Sequence, residues 1–546
     1  MKRHLTRHLL QAALLACSCG IQPPASGQAS SCELEISTSE SYIDGRVNAA
    51  GIRPGDTICL LPGTRSFLWI RYLHGTAEAP IVIRNSIGGV NITDFYYGLK
   101  IDSCSHVKLS GKGVPYIDYG IKIHDINGGG MSIEGLSTDV EVEGIEITGT
   151  VFVGIFAKTD PDCDFLSTRD KYVMRNISIH DNYMHQTGME GMYIGSSFYT
   201  GYIINCDGHD TLVYPHVIRG VQVYRNRVEY AGWDGIQVAS SDSGCAVYDN
   251  YVAYDSDSAV YNQMSGILIG GGSGCDCYNN TVTDGKGVGI NVFGLGNEKI
   301  YNNLIIRAGM TFPDPYPLIS GIYFGDVVTL PGASFLVANN TIISPKVFGI
   351  HFKNTESSGN LAVNNLIMGP GDGFFDGTNL VVQENCTFQS LDFNQFVDPP
   401  HGNYDLKASS QCVNNASPMI YFNLGFDIKS RSRPFAWVND MGAYECHDSS
   451  LLSAEARYRE DDIGLQVTQL GRTGTVRISF VLPDESFVSI NVFGITGKAV
   501  TNPVGETMLP GKHILDRTLS DLNSGIYLCT VITGSIIYSK KFHLIR

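Results

Sequence analysis

The sequence predicts an all-β chain: a right-handed parallel β-helix, wound as a single-stranded solenoid, followed by a small C-terminal β-sandwich. Three observations carry that expectation. Short apolar strands keep returning to one asparagine, at Asn182, Asn226, Asn250, Asn280, Asn303, Asn340, Asn365 and Asn385, with spacings that fall as low as 20 to 25 residues. A unit near 23 residues with variable additions is the mark of stacked coils that share a core and differ in their loops. A glycine followed by alternating apolar residues comes next in each coil, nine residues on at Gly191, Gly235, Gly289 and Gly349, and later at Gly266 and Gly321. Finally, the last 80 or so residues abandon the repeat for longer strands separated by turns.

Each coil therefore reads strand, asparagine turn, strand, glycine turn, strand. Side chains alternate along a strand, so residues three and five before the asparagine point inward, as at Ile177/Ile179, Val221/Val223, Cys245/Val247 and Cys275/Cys277. An asparagine stacked on its equivalent in the next coil can bond both to it and to backbone that would otherwise be buried unpaired. The ladder is expected to be structural. Tyr224, Tyr248, Tyr278 and Tyr301, each two before the asparagine, form a second column whose stacking is also read as structural.

The chain has 546 residues, 61 of them glycine, and is 43% apolar and 17% charged, which fits a large, turn-rich folded protein. A net charge of −16 argues against nucleic acid or an anionic membrane as partner. It also disfavours an acidic polysaccharide unless calcium or a local basic patch intervenes.

Taken in order, residues 1–29 read as an export signal: a basic MKRHLTRH, an apolar Leu9–Cys17 too short to span a bilayer, then small residues. The run Leu14-Leu15-Ala16-Cys17 also resembles a bacterial lipobox, which would make Cys17 a lipidated terminus instead; the soluble form is favoured. Residues 30–447 are assigned to the solenoid with its caps, 448–469 to a linker and 470–546 to the sandwich. Export permits disulfides, with Cys32–Cys59, Cys412–Cys446 and Cys163–Cys206 as the pairs considered, while Cys245, Cys275 and Cys277 read as core. No cysteine pair has zinc-site spacing, so no metal site is assigned.

The runs GIRPGDTICLLPGTR (51–65) and GTAEAPIVIRN (75–85) resemble the opening coils of secreted bacterial β-helix proteins of the pectin-lyase-like, polysaccharide-lyase superfamily. FVDPPHGNYDL and DMGAYE (440–445) resemble their C-terminal coil and tail, expected to close the open end. ISFVLP (478–483), INVFGITGK (490–498), LPGKH (509–513), LNSGIYLCTV (522–531) and Lys540-Lys541 resemble the type A sorting domain of the type IX secretion system of Bacteroidota. That resemblance implies a partner in the secretion machinery, passage across the outer membrane, and a cell-surface or extracellular location. It carries no chemistry. The catalytic runs of pectate lyases and polygalacturonases are not found.

Insertions at about 158–174 and 196–219 leave the strand after the glycine, and others near 254–263 and 308–318 precede it, so walls border that one face. Its outward column is expected to run Lys122, Phe156, Tyr193, Gln237, Leu268, Asn291, Tyr323 and His351. Phe156, Lys158, Tyr193, Gln237, Asn291, Tyr323 and His351 are the candidate substrate-binding residues, since aromatics along a polar groove suit sugar rings. Exposed aromatics are equally ordinary on β surfaces.

Glu190 and Asp234 hold equivalent positions before the glycine of successive coils and are the catalytic candidates. Adjacent like charges push one pKa up, which would set a general acid beside a carboxylate, as glycoside hydrolysis requires. Calcium bridging the pair is the one cofactor considered. The bland alternative is turn chemistry, because Ser265 and Ser320 hold the same slot elsewhere. A lyase would need a neutralising cation and a base, for which Lys158, Arg169, Lys171, Arg219, Tyr193 and His351 are conceivable. The expectation is a monomeric polysaccharide-active protein, lyase or hydrolase; the alternative is a non-catalytic surface glycan binder or adhesin.

Overall fold

The computed structural model describes residues 32–93, 95–312, 319–417, 424–435, 438–453, 463–471, 474–494, 504–519, 522–533 and 536–546. The export signal and the lipobox lie outside the described residues, as do parts of the linker and of the INVFGITGK run.

The chain is a right-handed parallel β-helix of three long sheets. The first, before the asparagine turn, has thirteen strands from Leu34–Ile36 to Val381–Gln383. The second, between the two turns, has twelve from Gly63–Arg65 to Cys386–Phe388, and the third, after the glycine, twelve from Tyr42–Asp44 to Gly373–Asp376. The predicted inward residues form one continuous core, which Phe374, Phe375 and Leu380 of the last coil partly plug.

The asparagine ladder is complete over eight coils. Asn250 shows the unit: its Nδ2 donates to Asn280 Oδ1 at 3.0 Å and to the Val223 carbonyl at 2.9 Å, and its Oδ1 accepts from the Asn226 backbone N–H at 3.0 Å. The residue before each ladder asparagine is left-handed, from Glu384 at φ 40° to Asn364 at 57°. Six of those eight are Asp or Asn, the side chains that tolerate this conformation best. The glycine column has a different cause. A Cβ at Gly235 would lie 2.6 Å from the Gly266 carbonyl oxygen and 2.5 Å from a Val252 methyl, so the corner closes too tightly for any side chain.

Four disulfides correct or support the sequence reading. Cys32–Cys59 and Cys163–Cys206 form. Cys245 and Cys275, expected as unbonded core, pair with each other, because they are the same inward slot in adjacent coils. Cys412 bonds Cys386 rather than Cys446, which is buried and free.

The reason for that last pairing is the path of the tail. Phe396, Tyr404, Leu406, Met441 and Tyr444 pack on Leu304, Ile343, Leu366 and Met368, so the segment flanks the outer face of the second sheet instead of only closing the end. The acids of DMGAYE bond backbone: Asp440 accepts from the N–H of Asn414 and Cys446, and Glu445 from those of Phe435 and Asp440.

The C-terminal unit is two antiparallel sheets, of three and four strands. Two strands join the five read from sequence, Gln466–Leu470 and Val504–Met508. Ile463 and Leu465 are in its core, so its packing begins before residue 470.

Candidate functional site

The outward column of the third sheet runs Tyr42, Trp69, Lys100, Ser132, Phe156, Tyr193, Gln237, Leu268, Asn291, Tyr323, His351 and Asp376 in register. Seven of the eight residues expected there are present. Lys122 is not: it lies in the second sheet opposite Glu146, because the GIKI run at 120–123 imitates the coil glycine while Gly130 holds the true slot. The next outward column begins with charged residues and turns small in the middle, where Gly195, Ala239 and Gly270 follow one another.

One wall is built from the two long insertions. They contain the hairpin Tyr202–Cys206/His209–Val213, joined by Cys163–Cys206 to the preceding loop, and a side sheet of Val173–Arg175, Val217–Arg219 and Ser241–Ser243. Arg169 staples the loops, donating to the Tyr199 and Pro215 carbonyls with its guanidinium over the Tyr199 ring. His216 pins the start of the first loop, accepting at Nε2 from the Thr159 N–H; burial pushes its pKa down. The other wall, the 254–263 insertion, bonds through Ser256, Asp257 and Ser258 to the carbonyls of Trp233, Ala231 and Gly232. The 308–318 insertion is described only to residue 312.

Between the walls the candidates fall into two groups. Lys158, Phe156, Tyr193 and Gln237 come together. The Lys158 ammonium is 5.0 Å from the Phe156 ring centre and 4.7 Å from that of Tyr193, and it pairs with Asp160 at 2.8 Å. Tyr193 Oη is 3.0 Å from Ser197 Oγ, to which Gln237 Nε2 donates at 2.7 Å. Tyr323 and His351 pair edge to face farther along, His351 Nε2 lying 3.0 Å from Asp376. Burial, then Lys353, push the His351 pKa down. Asn291 sits between the groups and donates to Ser265 Oγ at 3.2 Å. Ser197 and His216 were missed from sequence, since insertion loops carry no repeat to index them.

Glu190 and Asp234 lie in adjacent coils at the glycine corner, the Gly191 N–H donating to the Asp234 carbonyl. Both are buried, at 3% and 0% exposure. Neither Asp234 carboxyl oxygen has a well-formed hydrogen bond, although the Ser265 hydroxyl and N–H lie close enough to ease its charge, and Glu190 Oε2 has no partner. Burial raises the Glu190 pKa to about 7, eased by its own backbone N–H and by Lys158. Asp234 is raised well above the usual range by burial first and then by the Glu190 charge, although nearby Ser265 eases it. Asp255, in the second wall, is raised to about 6 by burial, with Oδ2 unpartnered. Ser132, Asn291, Ser320, His351 and Gln263 add further unpartnered buried polar atoms on or beside this face. Unpartnered buried polar atoms also occur off this face, at Glu298 Oε1, whose pKa burial raises to about 8, and at Asn279, Asn302 and Asn339 Oδ1, so what sets this face apart is the pair of acids in adjacent coils.

Calcium takes six to eight oxygens. Among the described residues, three potential ligands converge within 4.8 Å only at Glu141, Glu143 and His180, on the first sheet. There Lys108 already bridges both carboxylates, at 2.6 and 2.9 Å. Asp160 of the alternating 160–164 acids is turned to Lys158, and Asp162 caps the Asp164 N–H.

A profile of the family "Right handed beta helix region" matches residues 203–390. No curated protein matches the sequence. Among solved structures the chain is similar to an alginate lyase from Paenibacillus sp. str. FPU-7, at 14% identity and TM-score 0.36, covering 65% of this chain and 98% of that one. It is also similar to the pectate lyase Pel9A (12%, 0.39, 76% and 97%) and to XylC in complex with xylose (12%, 0.37, 88% and 100%).

Proposed function

We propose that the chain is a polysaccharide-active protein that holds a glycan along its third sheet and cleaves it with Glu190 and Asp234. One observation carries this: two carboxyls of adjacent coils are buried between insertion walls with no cation paired to either among the described residues, and with only Ser265, the Glu190 backbone N–H and the Lys158 charge to ease them. Turn chemistry would lower these carboxyls by strong hydrogen bonding, whereas burial outweighs the easing by Ser265 and by the Glu190 N–H and leaves both raised, and strongly perturbed acids in a cleft are a common mark of a working site. The two environments also assign roles. Glu190 is eased by its own N–H and by Lys158, whereas burial and the Glu190 charge both favour the protonated form of Asp234. Asp234 is then the acid that protonates the departing glycosidic oxygen, and Glu190 is the carboxylate that activates water or attacks the sugar. No step is routed through calcium, though an assay with added calcium tests it as a bridge between the pair. Aromatic and amide side chains at Phe156, Tyr193, Gln237, Asn291, Tyr323 and His351 would hold the chain, with Lys158 positioning Glu190.

The burial of both acids favours a second reading, a non-catalytic surface glycan binder or adhesin; cleavage requires the 254–263 wall to open. Export through the type IX machinery and display at the cell surface belong to either reading, on the strength of the C-terminal resemblance. The test is a polysaccharide panel, with and without calcium, followed by reducing ends and by the absorbance of unsaturated products. New reducing ends without unsaturation, lost in Asp234→Asn and Glu190→Gln, are expected. Activity surviving in both variants would remove the acids from the mechanism, unsaturated products would mean elimination, and binding without cleavage would leave the second reading.

A further inference from the structure

We infer that the glycan taken by the third sheet is a chain of neutral sugars rather than of uronic acids. This rests on the glycan reading of the same face and narrows it to a substrate class. The middle of the groove floor is Tyr193, Gln237, Leu268, Asn291 and Tyr323, in register across five coils. Coils repeat about every 4.8 Å, so the uncharged floor is about 20 Å long, room for several sugar units. Beside it the second column is Gly195, Ala239, Gly270, Phe293 and Gly325, small and closely packed at first, where a Cβ at Gly270 would lie 3.0 Å from the Ala239 methyl, and then filled by the Phe293 ring against Tyr323. The result is an uncharged strip of aromatic, aliphatic and amide side chains, in which Tyr193, Leu268 and Asn291 are part-exposed and Gln237 and Tyr323 nearly buried.

Its chemistry suits hydroxyls. A sugar hydroxyl both donates and accepts, and Asn291 Oδ1 is buried without a partner, ready to accept one. The Tyr193 and Ser197 hydroxyls can each play either part. A uronate carboxylate instead wants the fork of an arginine or the free donors of a lysine. The cations bordering this face are already engaged: Lys100 with Glu134 at 2.7 Å, Lys158 with Asp160 at 2.8 Å, Lys353 with Asp376 at 2.7 Å, and Arg169 with two carbonyls. At the floor's edge stand Glu190 and Asp234, whose carboxyls would repel a row of uronates once ionised.

The test uses neutral polysaccharides, each paired with its own C6-carboxylated form, so that backbone shape is constant and charge alone changes. Affinity electrophoresis of the full chain at low and at high salt reads binding. At least one neutral glycan should retard the protein, its carboxylated partner should bind at least tenfold more weakly at low salt, and salt should narrow the gap by screening repulsion. Gln237→Ala and Asn291→Ala should each weaken the neutral binding. A carboxylated form bound as well as or better than its neutral parent would overturn the inference while leaving a glycan site in place. Neutral binding untouched by both substitutions would place the glycan elsewhere and overturn it as well. Binding of neither form across the panel would remove the glycan reading and this inference with it.

Discussion

The outer faces of the first and third sheets are made by the same coils, yet their polar groups end in opposite conditions. On the first sheet Tyr224, Tyr248, Tyr278 and Tyr301 stack at 4.8 to 4.9 Å with planes within 8° of parallel, and His180 stacks on Tyr224 at 4.5 Å. Each inner ring gives its faces to its neighbours, so none is left for a sugar. Next to them Lys108 holds Glu141 and Glu143, and Arg225 holds Asp181. The Glu141 pKa drops to about 2, chiefly through its hydrogen bond with His180. On the third sheet the contacts are edge to face, as between Phe156 and Tyr193, and the carboxyls are raised rather than lowered. A coil surface whose side chains bond to the coils above and below is finished. One whose buried acids have no paired cation and stay raised despite their neighbours is held ready for something else.

The largest effect expected from breaking the finished side is at the asparagine ladder. Asn280→Ala removes the acceptor for the Asn250 N–H and amide and the donor to Asn303 and to the Val247 carbonyl. With several buried groups left unpaired, chemical denaturation should show a loss of about 3 kcal/mol or more. Asp234→Asn, equally buried, should cost far less and at pH 8 should stabilise.

Next in size is the pH dependence of stability. Burial raises the folded Glu190 pKa to about 7 from its ordinary 4.5, so the folded state holds the extra proton. Its contribution is fully present below pH 4.5 and is lost as pH rises through 7, a change on the order of 3 kcal/mol. Asp234 acts in the same direction at higher pH. Glu141 has the opposite sign, its contribution being present above 4.5 and lost as pH falls towards 2. Melting temperatures across pH 5 to 9 should therefore fall, and the Glu190→Gln/Asp234→Asn double variant should flatten the slope. An unchanged slope would mean that neither acid is perturbed.

Smaller and more discriminating is an exchange of alanines. Tyr248→Ala loses two ring contacts, about 1–3 kcal/mol of stability, and should leave glycan retardation unaltered. Tyr193→Ala should weaken glycan binding at least tenfold. Smallest is Arg219→Ala, which opens a solvent-exposed pair with Asp242 and should leave the denaturation midpoint unchanged within error.

Where the repeat indexes a residue, the sequence is legible. The ladder, the inward columns and most of the third-sheet column follow from spacing alone, because equal positions in successive coils are neighbours. The Cys245–Cys275 bond was legible by the same logic, as one slot in adjacent coils; reading both as plain core overlooked it. Lys122 shows the limit, where a local GIKI run outweighed register. The Cys386–Cys412 bond follows a tail path that no period encodes, and Ser197 and His216 belong to insertions whose course only packing decides. Sequence placed Glu190 and Asp234 side by side. That both are buried without a paired cation is a fact of three-dimensional packing that no spacing announces.

The most direct measurement is the titration of the side-chain carboxyls by carbon-13 NMR or infrared difference spectroscopy, in the wild type, Glu190→Gln and Asp234→Asn, with and without a bound oligosaccharide. One carboxyl should titrate near 7, vanish in Glu190→Gln, stay near 7 in Asp234→Asn because burial rather than Asp234 raises it, and shift when glycan is added. If every carboxyl titrates in the ordinary range of about 3 to 5, and none responds to glycan, the third sheet is a finished surface like the first.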